Sequence, residues 1–203
     1  MDIKNLGVLA SGRGSNLQSI MDACAAGRIP ARVTVVISDN ADAYALERAR
    51  YAGIDAVALN TDDYIDKAEY EKHITKILQE HNVDLVCLAG YMRMVGPGLL
   101  EAYAGRIMNI HPALLPAFPG LHGQEQAWHY GVKYSGCTVH FVDDGMDTGP
   151  IILQAVVLVS DNDTADTLAA RILEQEHRIY PEAINLYCTN KLVVEGRKVR
   201  ILA

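Results

Sequence analysis

Short apolar runs alternate along this chain with stretches in which hydrophobic residues recur every three or four positions. Leu6 to Ala10 reads as a buried strand, followed by the polar turn Ser11-Gly12-Arg13-Gly14-Ser15-Asn16. Leu17, Ile20, Met21 and Cys24 then share one face of a helix that Ser15 or Asn16 is placed to cap. The alternation continues with a strand at Val33 to Ser38, a helix at Ala43 to Tyr51, a shorter strand at Ala56 to Leu59 and a charged helix from about Lys67 to His81. Further strands follow at Asp84 to Ala89 and Arg106 to Ile110. Strands separated by helices predict an α/β fold with a doubly wound, mostly parallel sheet of Rossmann-like layout.

The C-terminal part changes character. Gly136 to Val142 and Ile151 to Val159 are separated only by an acidic, glycine-containing loop, which predicts a mixed or antiparallel extension of the sheet. A long helical pattern runs from about Asp163 to Leu186, with Pro181 expected to kink or break it, and a last strand is expected at about Lys191 to Val194. No internal repeat, low-complexity tract or linker interrupts the pattern, so a single domain over residues 1–203 is expected.

Charge narrows the function. Against 18 Lys and Arg stand 25 Asp and Glu, a net charge of −7. Nonspecific nucleic-acid binding needs clustered cations, so this balance argues against it while leaving room for a local site for one small anion. The cysteines, Cys24, Cys87, Cys137 and Cys188, form no CxxC pair, which argues against a zinc ribbon or a thioredoxin-type motif; Cys24 and Cys87 are expected in the core. No apolar run approaches the roughly 20 residues of a membrane span, and the N-terminal stretch is too short for a secretory signal. A cytoplasmic protein with no membrane partner is expected.

Three stretches carry candidate chemistry. The glycines of Ser11 to Asn16 let the backbone turn tightly at the carboxyl end of a strand, and the following helix N-terminus suits a phosphate. An ordinary capped turn is the plain alternative. It is a poor dinucleotide fingerprint, because Leu17 stands where GxGxxG needs its third glycine, although Asp39 at the end of the second strand is a candidate ribose-binding acid. In Arg106 to Pro112, residues two apart on a strand face the same side, so Asn109 and His111 point together, while Met108 and Ile110 face the core. An amide beside an imidazole is a plausible oxyanion-stabilising pair, the alternative being that both satisfy turn backbone. In Asp143 to Pro150, Asp147 is placed to hold His111 charged by raising its pKa, and His140 is a candidate supporting partner. The EF-hand spacing is not met, so no metal is expected. Glu176 falls within the apolar stripe of the long helix, where a carboxylate needs a partner, either a cation or amine in a cleft or a buried Arg.

Together these residues resemble the folate-dependent formyltransferases. The carrying motifs are SGRGSN (11–16), LAGYMRMV (88–95), NIHPALLPAFPGLH (109–122), TVHFVDDGMDTGPII (138–152) and QEHRIYP (175–181), in the family's order over about residues 3–190. The resemblance implies transfer of a formyl group from 10-formyltetrahydrofolate, as cosubstrate, to the amine of 5-phosphoribosyl-glycinamide in purine biosynthesis, without a metal, by a monomer or homodimer. It implies a phosphate-binding half over about residues 1–100 and a folate-binding and catalytic half over about 101–203. Gly14, Ser15 and Asn16 would bind the substrate phosphate, and Glu176 the glycinamide amine side. Met92, Arg93, Met94 and Val95 would line the pterin site, with Asn109, Asp143, Asp144 and Asp147 contributing and Lys67 standing where the family often carries an Arg for the folate tail. Asn109, His111 and Asp147 would be the catalytic set, His111 acting in its protonated form.

The alternatives are a formyltetrahydrofolate deformylase, expected to carry a further N-terminal domain where here the first strand begins almost at Met1, and a noncatalytic nucleotide- or folate-binding module, which would need no Asn109 and His111 pair. A methionyl-tRNA formyltransferase, expected to carry an added C-terminal domain, fits the acidic balance poorly.

Overall fold

The computed structural model describes residues 2–202; Met1 and Ala203, the ends of the expected 1–203 domain, lie outside them. The chain divides into two compact units, 1–108 and 109–203.

In the first unit, β1 (Lys4–Leu9), α1 (Ser15–Ala25), β2 (Ala31–Ser38), α2 (Tyr44–Tyr51), β3 (Asp55–Ala58), α3 (Lys67–Glu80) and β4 (Leu85–Leu88) alternate as the periodicity predicts. The strands lie in the order β3-β2-β1-β4. All three pairings are parallel, with Leu6 opposite both Val33 and Leu85, and Val35 opposite Asp55. Strands buried on both faces need continuous apolar runs, and Leu6, Val8, Leu9, Val35, Val36, Ile37, Leu85 and Val86 are fully buried. The chain winds outward from β1 to β3 and returns to β4 on the other side of β1. Right-handed crossovers therefore place the helices on opposite faces and open a crevice beyond the carboxyl ends of β1 and β4. The turn Ser11–Asn16 and the segment Gly90–Val95 occupy those two ends. A short helix, α4 (Pro97–Ala102), and a 3-10 turn (Thr61–Asp63) complete the unit, and neither was expected.

The division falls within β5 (Ile107–His111). The second unit continues with α5 (Gly123–Tyr130), β6 (Tyr134–Phe141), β7 (Ile151–Leu158), α6 (Ala165–Cys188), β8 (Leu192–Glu195) and β9 (Lys198–Ile201). Strands β6 and β7 pair antiparallel, β7 pairs parallel with β9, and β8 and β9 form a hairpin turning at Gly196. This is the mixed extension expected, with β9 and α5 added.

Three local expectations are corrected. Pro181 does not break the long helix, which runs unbroken through it from a Thr164 capping box. The lost backbone hydrogen bond is outweighed by burial of Ile179, Tyr180, Ala183 and Ile184 on the same face. Neither Ser15 nor Asn16 caps α1. The cap is Gly14, left-handed at φ 70, with no side-chain hydrogen bond. Gly14 turns the chain so sharply that Ser15 and Asn16 already lie inside the helix. Cys87 is in the core as expected, but Cys24 is only half-buried.

Candidate active site

The second unit holds a compact polar cluster at the end of β5. Asn109 and His111 project from alternate positions of the strand, and the intervening positions Met108 and Ile110 are buried. The His111 ring is 3% exposed, which makes every partner count. Its Nε2 hydrogen donates to the Phe118 carbonyl at 2.8 Å, so the proton site left over is Nδ1, and that atom faces Asp147 Oδ2 at 3.4 Å. A side chain at position 123 would place its Cβ 2.9 Å from Nε2, so Gly123 at the start of α5 is what lets the ring sit there.

Asp147 is turned inward by a left-handed backbone at φ 55, a conformation that only a well-tethered non-glycine residue holds. Its Oδ2 accepts the Gly120 N–H at 2.7 Å, and its Oδ1 lies 3.4 Å from Asn109 Nδ2 and 3.6 Å from His140 Nε2. His140 donates from Nδ1 to the Phe141 carbonyl at 2.8 Å. In its neutral form Nε2 is then an acceptor for Asn109 Nδ2 at 3.2 Å, which orients that amide with its nitrogen toward the carboxylate.

The electrostatics correct one expectation. Burial pushes the His111 pKa below 6.5, and the attraction of Asp147 and the Phe118 carbonyl only partly offsets it. Asp147 therefore does not hold His111 charged in the ligand-free protein. Burial alone would raise the Asp147 pKa, but its interactions with His140, the Gly120 N–H and His111 together keep it below the usual carboxylate value. The result is a neutral imidazole with an open proton site beside a firmly ionised carboxylate.

Sequence reasoning missed the groups that fix this geometry. Thr138, fully buried on β6, accepts the Leu115 N–H at 3.1 Å and donates to the Ala113 carbonyl at 2.7 Å. Gln154 on β7 donates to the Leu115 carbonyl at 2.9 Å. These bonds anchor the proline-rich loop that delivers the Phe118 carbonyl and the Gly120 N–H. Asp143, expected at the folate, closes its own loop by accepting from Thr148 Oγ1 at 2.6 Å and Gly145 N–H at 3.2 Å, while Asp144 is exposed. Glu176 is buried in α6 and raises the pKa of Cys137, whose thiol burial pushes up to about 12. That thiol is no nucleophile.

The first unit holds the other predicted residues. The turn at Gly14 rests on α2: the Ala45 N–H donates to the Gly12 carbonyl at 3.0 Å, Arg48 Nε donates to the Arg13 carbonyl at 2.9 Å, and Ala45 fills the space beside Gly14. Asn16 is buried and Ser15 half-buried. Met92 and Met94 are 60% and 44% exposed on a backbone segment whose Val95 is buried. The Arg93 side chain is committed to Asp39 Oδ2 at 2.8 Å and Thr61 Oγ1 at 3.0 Å. Asp39, the candidate ribose acid, thereby already holds one cation through Oδ2. Lys67 lies at the start of α3, its Nζ 3.7 Å from Glu71 Oε1. Among the described residues, no group of three or more His, Cys, Asp or Glu is placed to hold a metal ion, and no helix is long and apolar enough to cross a membrane.

An Asn and a His on one strand beside a half-buried carboxylate, in an α/β chain with a glycine turn after β1, suit a formyl transferase, and the model of the formyl transferase family matches residues 4–184. The chain belongs to that family. Phosphoribosylglycinamide formyltransferase of Escherichia coli (strain K12) is 45% identical over 188 residues, covering 93% of this chain and 89% of that protein. The crystal structure of glycinamide ribonucleotide transformylase 1 from Symbiobacterium toebii is similar at 58% identity and a TM-score of 0.98, over 99% of this chain and 95% of that one. A formyltetrahydrofolate deformylase from Pseudomonas syringae pv. tomato shares the fold at a TM-score of 0.91 but only 26% identity, over 100% of this chain and 67% of that one.

Proposed function

We propose that this protein transfers the formyl group of 10-formyltetrahydrofolate to the amine of 5-phosphoribosyl-glycinamide in purine biosynthesis, releasing tetrahydrofolate. The observation that carries the reading is the His111 Nδ1 and Asp147 Oδ2 pair at 3.4 Å, flanked by the Asn109 amide. The uncharged amine attacks the formyl carbon, and the carbonyl electron pair moves to oxygen. The Asn109 hydrogen now spent on a long 3.4 Å contact with Asp147 turns to that oxyanion, which is the stronger acceptor. The proton released by the attacking nitrogen goes to His111 Nδ1, directly or through water, and Asp147 offsets the imidazolium charge. As the oxygen pair re-forms the carbonyl, the bond to the folate nitrogen breaks and that nitrogen takes the proton from Nδ1. Asp147 thus acts on the imidazolium formed during turnover, in place of maintaining one beforehand.

Gly14, Ser15 and Asn16 are assigned to the phosphate, because the α1 N-terminus carries no side-chain cap and presents backbone N–H groups to an anion. Met92 to Val95 are assigned to the pterin, Met92 and Met94 offering adaptable apolar surface, and Asn109, Asp143, Asp144 and Asp147 are assigned to folate contacts. Lys67 is assigned to the anionic folate tail as a point charge, without the bidentate fork of an Arg. Glu176 is assigned to the amine side of the ribonucleotide, and His140 to orienting Asn109. The four cysteines form no CxxC pair, a usage that suits a reducing, cytoplasmic setting.

The test mixes purified protein with both substrates and follows folate absorbance. Turnover is expected only when the ribonucleotide is present. Equal turnover without it would favour the deformylase reading, in which water replaces the amine.

A further inference from the structure

One buried charge has no part in the mechanism above. Glu71 lies on α3 with its side chain 6% exposed, and a carboxylate so placed is costly unless its oxygens are satisfied. Oε1 accepts the Gly96 N–H at 2.6 Å and lies 3.7 Å from Lys67 Nζ. The approach is so close that a Cβ at position 96 would meet the carboxylate oxygens at 2.4 and 2.7 Å. Gly96 has an ordinary extended backbone at φ −97, so close contact with Glu71, and not conformational freedom, is what demands glycine there.

Gly96 directly follows Met92 to Val95. That segment is tied at its other end by the Met92 N–H donating to Ser11 Oγ at 3.0 Å, and in its middle by Arg93 on Asp39. Its tether at the Gly96 end is Glu71, the same carboxylate that meets Lys67.

We propose that Glu71 is a positioning residue for the formyl-folate site, fixing at once the backbone of the pterin-lining segment and the ammonium of Lys67 without touching the ligand. The inference rests on the reading that Met92 to Val95 and Lys67 meet the folate.

The test measures steady-state kinetics of E71A, E71Q, K67A and E71Q/K67A, with each substrate varied in turn. E71A loses both partners and is expected to raise the KM for 10-formyltetrahydrofolate about tenfold or more, with the ribonucleotide KM and kcat changed no more than about threefold. E71Q keeps an acceptor for Gly96 and loses the charge facing Lys67. It is expected to match K67A, and the double variant to be no worse than either single one. Equal rises in both KM values with a falling kcat would mean a merely structural role and overturn the proposal, as would an unmoved folate KM. If E71A does not fold, E71Q and the double variant decide: additive effects, or none, overturn the proposal. The wild type in the same assay keeps the two readings apart. No wild-type turnover sinks the formyl-transfer reading, whereas normal wild-type turnover with an unmoved folate KM in the variants sinks the role of Glu71 alone.

Discussion

His111 works under two opposed influences. Burial disfavours its charge, and the Asp147 carboxylate 3.4 Å away favours it. Burial wins in the ligand-free protein, so the resting ring is a proton acceptor near neutral pH. This fixes the sign of the pH dependence. A histidine whose pKa is lowered from 6.5 gains its proton only as the pH falls below that value, so kcat/KM should hold at neutral pH and decline on an acid limb lying below about pH 6.5. Removing the Asp147 carboxylate removes the influence that raises the His111 pKa. In Asp147→Asn, the His111 titration followed by NMR should therefore move to still lower pH, while kcat falls by about 10²–10³ through loss of the charge that steadies the imidazolium. A His111 titration that stays put or moves upward would mean that the carboxylate does not act on this ring.

At the scale of elements, the turn between β1 and α1 makes a sharp demand. Gly14 is left-handed at φ 70, and a Cβ there would lie 2.8 Å from Ala45 of α2. Gly14→Ala combines backbone strain of about 1–2 kcal/mol with displacement of the turn from α2. The ribonucleotide KM should rise about tenfold or more while kcat falls much less, because His111 and its partners belong to another stretch of chain. The strands and long helices were legible in the sequence because their apolar residues keep one period over several turns or pleats. Helices α4 and α5 were not, because they bury almost nothing on a periodic stripe: only Leu99 in the first, and Gly123 and Ala127 in the second. At Pro181 a sound local rule lost to tertiary burial. At Ser15 a capping signal lost to the conformational freedom of the glycine before it.

Across the whole molecule, the polar side chains of the site were easier to read than what holds them. Asn109 and His111 announce themselves by residue type and by the two-residue period of a strand, and Asp147 by its residue type in a glycine-containing loop. Their partners at Phe118 and Gly120 are a backbone carbonyl and a backbone N–H, which no residue type signals. Glu71 was hidden differently: four residues after Lys67 on a charged helix, it looks like half of a solvated surface pair, and only its burial against Gly96 distinguishes it. A transformylase and a deformylase both share this fold, so fold does not decide the acceptor of the formyl group. Following an isotopically labelled formyl carbon decides it directly. Incubated with labelled 10-formyltetrahydrofolate and 5-phosphoribosyl-glycinamide, the protein should place the label in the N-formyl ribonucleotide, one equivalent per tetrahydrofolate released. Label appearing as free formate, at a rate indifferent to the ribonucleotide, would contradict the account.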